Sequence, residues 1–339
     1  MSINEIRWHP LLGTWVIVAS GRATRPWRDA RCPFCPGSPE TGHGWDVISL
    51  DNRYPSLSTT PAVSTDAPSF SKIEPGYGRC KVVIETPEHE GDLDTIPFKN
   101  LVKYVDILGR ETEELGRDPG IKYVAPFRNK GELIGVSIHH PHSQIYALPF
   151  IPLRIERELE SMSSYYRERE ACLVCDIVKE EERGERIIYS NRDFTLILPF
   201  YAQWPHECHI YPRRHLQLLP ELTGEEKENL ADTLAVAVSM YNSLFGFSLP
   251  YMMVIHQAPV KGTYPHYHLH IEFYTIHRYA DKLKYAAGIE WGYWAFTYDE
   301  LHENRVKELK EALRKGIDRL EARGYHPKGE LRFKPPLFF

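Results

Sequence analysis

Apolar and polar positions alternate in short runs along most of this chain, and each run predicts a strand. Thr14-Trp-Val-Ile-Val-Ala-Ser20 is one, Lys81-Val-Val-Ile-Glu-Thr-Pro-Glu-His89 a second, and His209-Ile-Tyr-Pro-Arg-Arg-His215 a third. Val136, Ile138, Ile145 and Ala147 predict a fourth that runs on both sides of His140-Pro-His142. Helical spacing takes over elsewhere. One helix is predicted to open near Pro97 and another at Thr223-Gly-Glu-Glu226, whose Thr and Glu have capping-box spacing. A last helix carries Val306, Leu309, Leu313, Ile317 and Leu320 on one face and charges on the other. Its start is expected at a second capping box, Thr297-Tyr-Asp-Glu300. The apolar tail Pro335-Pro-Leu-Phe-Phe339 is expected to dock rather than project.

The pattern occurs twice. His89 and His215 lie 126 positions apart, as do His140 and His266, His142 and His268, and Gln144 and His270. The helix starts near Pro97 and Thr223 share that offset, whereas Cys32/Cys35 and Cys172/Cys175 lie 140 apart. The expected fold class is therefore α+β, built as two tandem units over residues 1–150 and 151–339. Each would be an antiparallel sheet with a packed helix, the second carrying the C-terminal helix. Exposed edge strands would let such sheets pair within or between chains.

Composition narrows the function. At 339 residues and 42% apolar, the chain suits two domains with real cores. A net charge of −5 gives no basic footprint for nucleic acid or acidic membranes. No apolar run reaches the roughly 18 residues of a membrane span. The opening Met1-Ser-Ile-Asn-Glu-Ile-Arg has no signal-peptide character, so a cytosolic protein is expected. Four of the six cysteines form two CxxC pairs, which in that setting implies metal rather than disulfides. Cys32, Cys35, His89 and His140 make a Cys₂His₂ set suited to tetrahedral zinc, and four protein ligands make such a site structural. The offset supplies a parallel set: Cys172, Cys175, His215 and His266.

In a strand, residues two apart share a face, so His140, His142 and Gln144 are expected to point one way. Before them come Asn129-Lys130-Gly131 and Gly135-Val136-Ser137. This run resembles the active-site motif of galactose-1-phosphate uridylyltransferases, a branch of the histidine-triad superfamily: Asn-Lys-Gly, Gly-x-Ser, His-Pro-His-x-Gln. Ile138-His139 depart from the Asn-Pro usual before the first histidine. The resemblance implies two histidine-triad-like units and a zinc site at Cys32, Cys35, His89 and His140. It implies transfer of UMP between UDP-glucose and galactose 1-phosphate, with His142 attacking phosphorus to give a uridylyl-histidine. The other nitrogen of His142 should donate to an acceptor such as a backbone carbonyl. Gln144 would donate to a phosphate oxygen in the transition state, and Ser137 would hydrogen-bond phosphate. Arg22, Arg25, Asn52, Asn129, Gly135, Lys284, Tyr285 and Glu290 fall at its substrate-binding positions. The arginines there reach the partner's site in a homodimer. A further metal set in bacterial relatives matches Glu158, His256 and His270, with Glu272 in place of a last histidine.

Arg53 and Phe296 depart from the family at nucleotide and sugar positions. With the double CxxC, they favour an alternative of adenylyl transfer to phosphate, as in ADP-glucose phosphorylase. A zinc-stabilised nucleotide-binding module without catalysis is a third reading. His266, His268 and His270 form a second alternating triad. The 126 offset places His268 opposite His142, but no Gly-rich run precedes it.

Overall fold

The computed structural model describes residues 3–24, 31–64 and 66–332. Arg25 and the Pro335–Phe339 tail lie outside the described residues. The strands, in chain order, are β1 (Asn4–His9), β2 (Thr14–Ala19), β3 (Ile48–Asp51), β4 (Ile73–Pro75), β5 (Arg79–Ile84), β6 (Tyr123–Lys130), β7 (His142–Leu148), β8 (Ile187–Ser190), β9 (Phe194–Ile197), β10 (Cys208–Pro212), β11 (Tyr251–His256), β12 (His270–Thr275), β13 (His277–Tyr279), β14 (Lys282–Leu283) and β15 (Glu330–Leu331). The helices are α1 (Phe98–Arg117), α2 (Leu153–Arg169), α3 (Leu173–Glu181), α4 (Gly224–Leu244), α5 (Gly288–Tyr293) and α6 (His302–Glu321).

The expected duplication is visible in one continuous antiparallel sheet, ordered β15-β8-β9-β10-β12-β11-β6-β7-β5-β3. The first unit supplies β3, β5, β7 and β6, and the second supplies β11, β12, β10 and β9 in mirrored order. They join where β6 pairs β11, with Lys130 opposite Tyr251 and Phe127 opposite Val254. Strand pairing between the units thus occurs within the chain. A small sheet, β2-β1-β4, stands apart.

One core lies between this sheet and the helices α1 and α4. It takes Tyr104 and Leu108 from α1, Leu234 and Val238 from α4, and Val83, Ile145, Ala147, Ile271 and Phe273 from the strands. Because strand side chains alternate, His142, Gln144 and Tyr146 are left on the opposite face of β7, and His270 and Glu272 on the opposite face of β12. There α2 and α3 cover part of the sheet through Ile155, Met162, Val174 and Val178. α6 packs on α4 through Val306, Leu309, Leu313 and Leu320, the face its periodicity predicts.

The box at Thr223 forms: its hydroxyl accepts from the Glu226 N–H at 3.2 Å, and Glu226 accepts from the Thr223 N–H at 2.8 Å. The box at Thr297 does not. α6 starts after Leu301, because the Thr297 hydroxyl donates to Glu290, whose carboxylate caps α5. β7 is also shorter than expected. Residues 136–139 are irregular and the ladder begins at His142, since Pro141 has no N–H to give it. His140 therefore lies outside the strand and turns toward the cysteines, while His142 and Gln144 share its face.

Candidate functional site

Histidine roles here follow from which ring nitrogen meets a carbonyl, since a carbonyl only accepts. His140 Nε2 lies 2.8 Å from the Thr86 carbonyl and must carry the proton. Its bare Nδ1 then faces Cys32 Sγ and Cys35 Sγ, each 3.7 Å away. His89 Nδ1 lies 3.3 Å from Cys35 Sγ. Tetrahedral zinc with ordinary Zn–S and Zn–N bonds places neighbouring ligand atoms about 3.5 Å apart, so this set fits a metal. His142 uses the opposite tautomer. Its Nδ1–H donates to the His140 carbonyl at 2.8 Å, leaving Nε2 bare. Burial lowers its pKa and keeps the ring neutral. The Cys-Pro-Phe-Cys loop also touches this ring directly, with Phe34 edge-on at 5.2 Å.

The second unit repeats the construction two residues later than the constant offset predicts. The structure brings His268, not His266, to Cys172, Cys175 and His215. His268 Nδ1 lies 3.5 Å from both sulfurs, and its Nε2–H donates to the Pro212 carbonyl at 3.1 Å. His266 is half-buried beside Tyr264. His270 then repeats His142, donating from Nδ1 to the His268 carbonyl at 3.0 Å. The counterpart of His142 is therefore His270, not His268. The offset is 126 up to His215 and 128 beyond it, because the loops between the helix and the histidine strand differ in length. The hydrogen bond from the Cys175 thiol, added to those from His215 and His268, draws the Cys172 thiol toward thiolate against its burial.

His270 itself is buried. Glu158, His256, His270 and Glu272 hold their ligand atoms within 4.8 Å of one another. His256 Nδ1 lies 2.9 Å from Glu158, yet no aligned hydrogen bond reaches it. An orphaned buried nitrogen beside two carboxylates is a donor set that can hold a cation. Arg154 closes the group at 2.7 Å from Glu272, and Tyr267 donates to Glu158 at 2.8 Å. Burial opposes charge on His270, but the two carboxylates outweigh it and raise its pKa.

His142, by contrast, lines a cavity of about 430 Å³, a size suited to a small ligand. Asn129 and Lys130 at the end of β6 line it too. The turn that follows needs glycine. Gly131 has φ +101° and a Cβ there would sit 2.7 Å from Pro250; Gly135 has φ +84°. Ser137 is half-buried in the irregular stretch that follows. Gln144 stands one position past His142 on the same face, opposite Val82 of β5 and Phe127 of β6. Arg22 donates to Ser56 Oγ at 2.9 Å and to the Tyr146 hydroxyl at 3.1 Å, on that face of β7. Asn52 accepts from the Tyr54 N–H at 2.9 Å, and Arg53 pairs with Glu40.

Lys284, Tyr285 and Glu290 are not brought to this cavity within the chain. Lys284 is buried, donating to the Gln203 and Thr297 carbonyls 3.9 Å from Glu290. That anchorage leaves Tyr285, Trp291 and Tyr293 exposed at 72%, 73% and 81%, a large apolar surface.

Sequence reasoning missed the charged floor of the cavity. Buried Arg128 grips Glu85 with two N–H···O bonds of 2.8 and 2.9 Å and reaches Asp92 at 3.0 Å. Lys130 also reaches Asp92, at 2.7 Å. The Ser143 hydroxyl, behind His142, donates to Glu85 at 2.6 Å. Charges inside otherwise apolar strands, Glu85 after Val82-Val-Ile84 and Arg128 after Phe127, were the available signal.

With this geometry in hand, similarities carry weight. The profile described as galactose-1-phosphate uridyl transferase, N-terminal domain, matches residues 1–152, and its C-terminal counterpart matches 158–319. Galactose-1-phosphate uridylyltransferase of Thermotoga maritima is 38% identical over 312 residues, covering 91% of this chain and 98% of that protein. The Rattus norvegicus protein of that name is 33% identical, covering 85% and 82%. A solved uridylyltransferase structure superposes with a TM-score of 0.87 at 42% identity, covering 92% of this chain and 99% of that one. An ADP-glucose phosphorylase from Arabidopsis thaliana, solved with bound ADP-glucose, gives 0.71 at 26%, covering 91% and 99%.

Proposed function

The chain belongs to the galactose-1-phosphate uridylyltransferase family, and we propose that it transfers UMP between UDP-glucose and galactose 1-phosphate through a uridylyl-histidine at His142. The observation that carries this reading is the tautomer. With Nδ1–H held by the His140 carbonyl, the lone pair of Nε2 is free to attack the α-phosphorus. The P–N bond forms as the P–O bond to the sugar 1-phosphate breaks, and that phosphate leaves as the anion. A phosphate oxygen of the second sugar 1-phosphate then attacks, and the histidine departs neutral. The first exchange trades a phosphoanhydride for a P–N bond and the second restores a phosphoanhydride; the sugar 1-phosphate leaves as a stable anion, so no strong acid is needed. Gln144 and Ser137 donate to the phosphate oxygens, and Asn129 with Gly135 shapes the phosphate end of the cavity. Asn52 serves the nucleoside end.

The Cys32, Cys35, His89, His140 set holds zinc, as does Cys172, Cys175, His215, His268. Bound zinc would supply rigidity rather than reactivity, since four protein ligands close each site. The first fixes the carbonyl that orients His142. The chain acts as a homodimer in which the aromatic segment that Lys284 and Glu290 anchor carries Tyr285 to the partner's sugar; Arg22 is instead held by Ser56 and Tyr146 of its own chain.

Incubation with UDP-glucose alone, followed by galactose 1-phosphate, tests the reading. It predicts release of glucose 1-phosphate, a stable nucleotidyl-protein, then UDP-galactose. An adduct formed only from ADP-glucose and discharged only by phosphate would contradict it and select the phosphorylase alternative.

A further inference from the structure

The face of β7 turned away from the cavity carries its own device. The β6–β7 pairing ends at Phe127 opposite Gln144, and the β5–β7 pairing ends at Ile84 opposite His142. Past those points the strands are joined by side chains. Phe127 shares the face of Gln144, so alternation puts Arg128 and Ser143 together on the core face. There Ser143 Oγ donates to Glu85 Oε1 at 2.6 Å. Arg128 grips both oxygens of the same carboxylate from the far side of β7, at 2.8 and 2.9 Å. Arg128 continues to β11, where it donates to the Tyr251 hydroxyl at 2.6 Å. Since the Ser143 proton goes to Glu85, the Tyr104 hydroxyl of α1 donates to Ser143 at 2.8 Å. All five side chains are buried. A line of side chains therefore crosses beneath four adjacent strand ends, of β5, β7, β6 and β11, where His142 stands.

Glu85 holds the same segment through its backbone as well. Its N–H donates to the Pro141 carbonyl at 3.1 Å, and the next carbonyl, of Thr86, takes the His140 Nε2 proton at 2.8 Å. His140, Pro141 and Ser143 are thus each tied to Glu85 or its neighbour, and the His140 carbonyl in turn aims the His142 ring. Desolvation offsets much of what a buried ion pair contributes to stability, whereas its two-pronged form fixes distance and direction. We propose that Glu85 is a positioning residue for the transfer: through Ser143 and Arg128 it braces the start of β7 and fixes where His142 Nε2 meets the phosphorus. This rests on the reading of His142 as the attacking group. Arg128 precedes Asn129 in β6, so the same brace sets the distance from the nucleophile to the phosphate end of the cavity. A strand end free to drift leaves the substrate bound but the attack misaligned.

Two variants of the full-length protein and two readouts test the brace. Glu85→Gln keeps the size of the side chain and removes its charge; Ser143→Ala cuts only the tie to β7. Single-turnover formation of the nucleotidyl-protein from UDP-glucose is expected to slow about tenfold in Glu85→Gln and about threefold in Ser143→Ala. Calorimetry should find UDP-glucose affinity within about twofold of wild type in both. The double variant should be no slower than Glu85→Gln alone, because Ser143 acts through Glu85. The second readout needs no substrate. With the histidine rings isotopically labelled, the His142 Nδ1–H resonance, identified by its loss in His142→Asn, should exchange faster with water in both variants. Ser143→Ala decides the matter alone where Glu85→Gln misfolds. A wild-type rate or wild-type exchange in a folded variant overturns the brace. So do losses shared equally between affinity and rate, and losses that add in the double variant. A wild-type protein that forms no nucleotidyl adduct, but whose variants exchange faster, would contradict the transfer reading and leave the brace standing.

Discussion

The stretch around His142 and the stretch around His270 share one backbone design. In each, a histidine faces two cysteines and a second histidine, and its other nitrogen donates to a carbonyl of the preceding strand region. Two residues on, a second histidine donates from Nδ1 to the first one's carbonyl. The outcomes diverge through surroundings alone. Beside His142 stand Asn129-Lys130-Gly131 and a cavity, and burial keeps the ring neutral. Beside His270 stand Glu158, Glu272 and Arg154, and the carboxylates favour a charged ring or a bound cation. Imidazole aimed by a carbonyl is a common starting point. What faces Nε2 decides whether it can act on a ligand.

The sharpest way to break this comparison is exchange of each histidine in turn. His142→Asn is expected to lower transfer by about 10⁴-fold or more, as loss of a covalent nucleophile does. His270→Asn should change the rate less than about threefold while lowering the melting temperature. Steady-state rates and thermal melts on both variants check the pair; similar rate losses would erase the distinction.

Metal removal separates the halves next. Cys32→Ser should lose one bound zinc by elemental analysis and most transfer activity, because His140 then no longer holds the His142 ring. Cys172→Ser should also lose one zinc and should destabilise, but with transfer largely spared. Two zinc per chain are expected in the intact protein.

Asp92→Asn probes the charged floor of the cavity beside His142. Breaking a buried ion-pair network costs about 3 kcal/mol, measurable by urea denaturation. Burial opposes the Asp92 charge, yet Arg128 and Lys130 hold its pKa at about 2, below the ordinary 3.8. A lowered carboxyl pKa gives stability that is complete above pH 3.8 and lost as pH falls toward 2. The variant's deficit should therefore shrink over that interval. The smallest effect belongs to α4: Thr223→Ala removes one arm of its capping box and should cost about 1 kcal/mol.

Much of this architecture was legible in residues alone. The two CxxC pairs, the Thr223 cap, the face of α6 and the tandem design all rest on local chemistry that the structure repeats. What failed were arguments of register. A constant offset assigned His266 to the second cysteine cluster, but loop lengths shift the match by two, and in a strand two residues restore the same face. Alternation therefore could not expose the slip; only the sulfur distances at His268 could. Thr297 fits a cap by spacing, but Glu290, folded back on it, takes its hydroxyl first. The Arg128–Glu85–Asp92 network joins Arg128 to residues 43 and 36 positions earlier, and no local pattern pairs them.

One measurement bears most directly on the distinction between the two histidines. After incubation with UDP-glucose, proteolysis and mass spectrometry should locate a single uridylyl adduct on the peptide carrying His142. That adduct should vanish in His142→Asn and persist in His270→Asn. An adduct on the peptide carrying His270, or one that survives His142→Asn, would contradict the account.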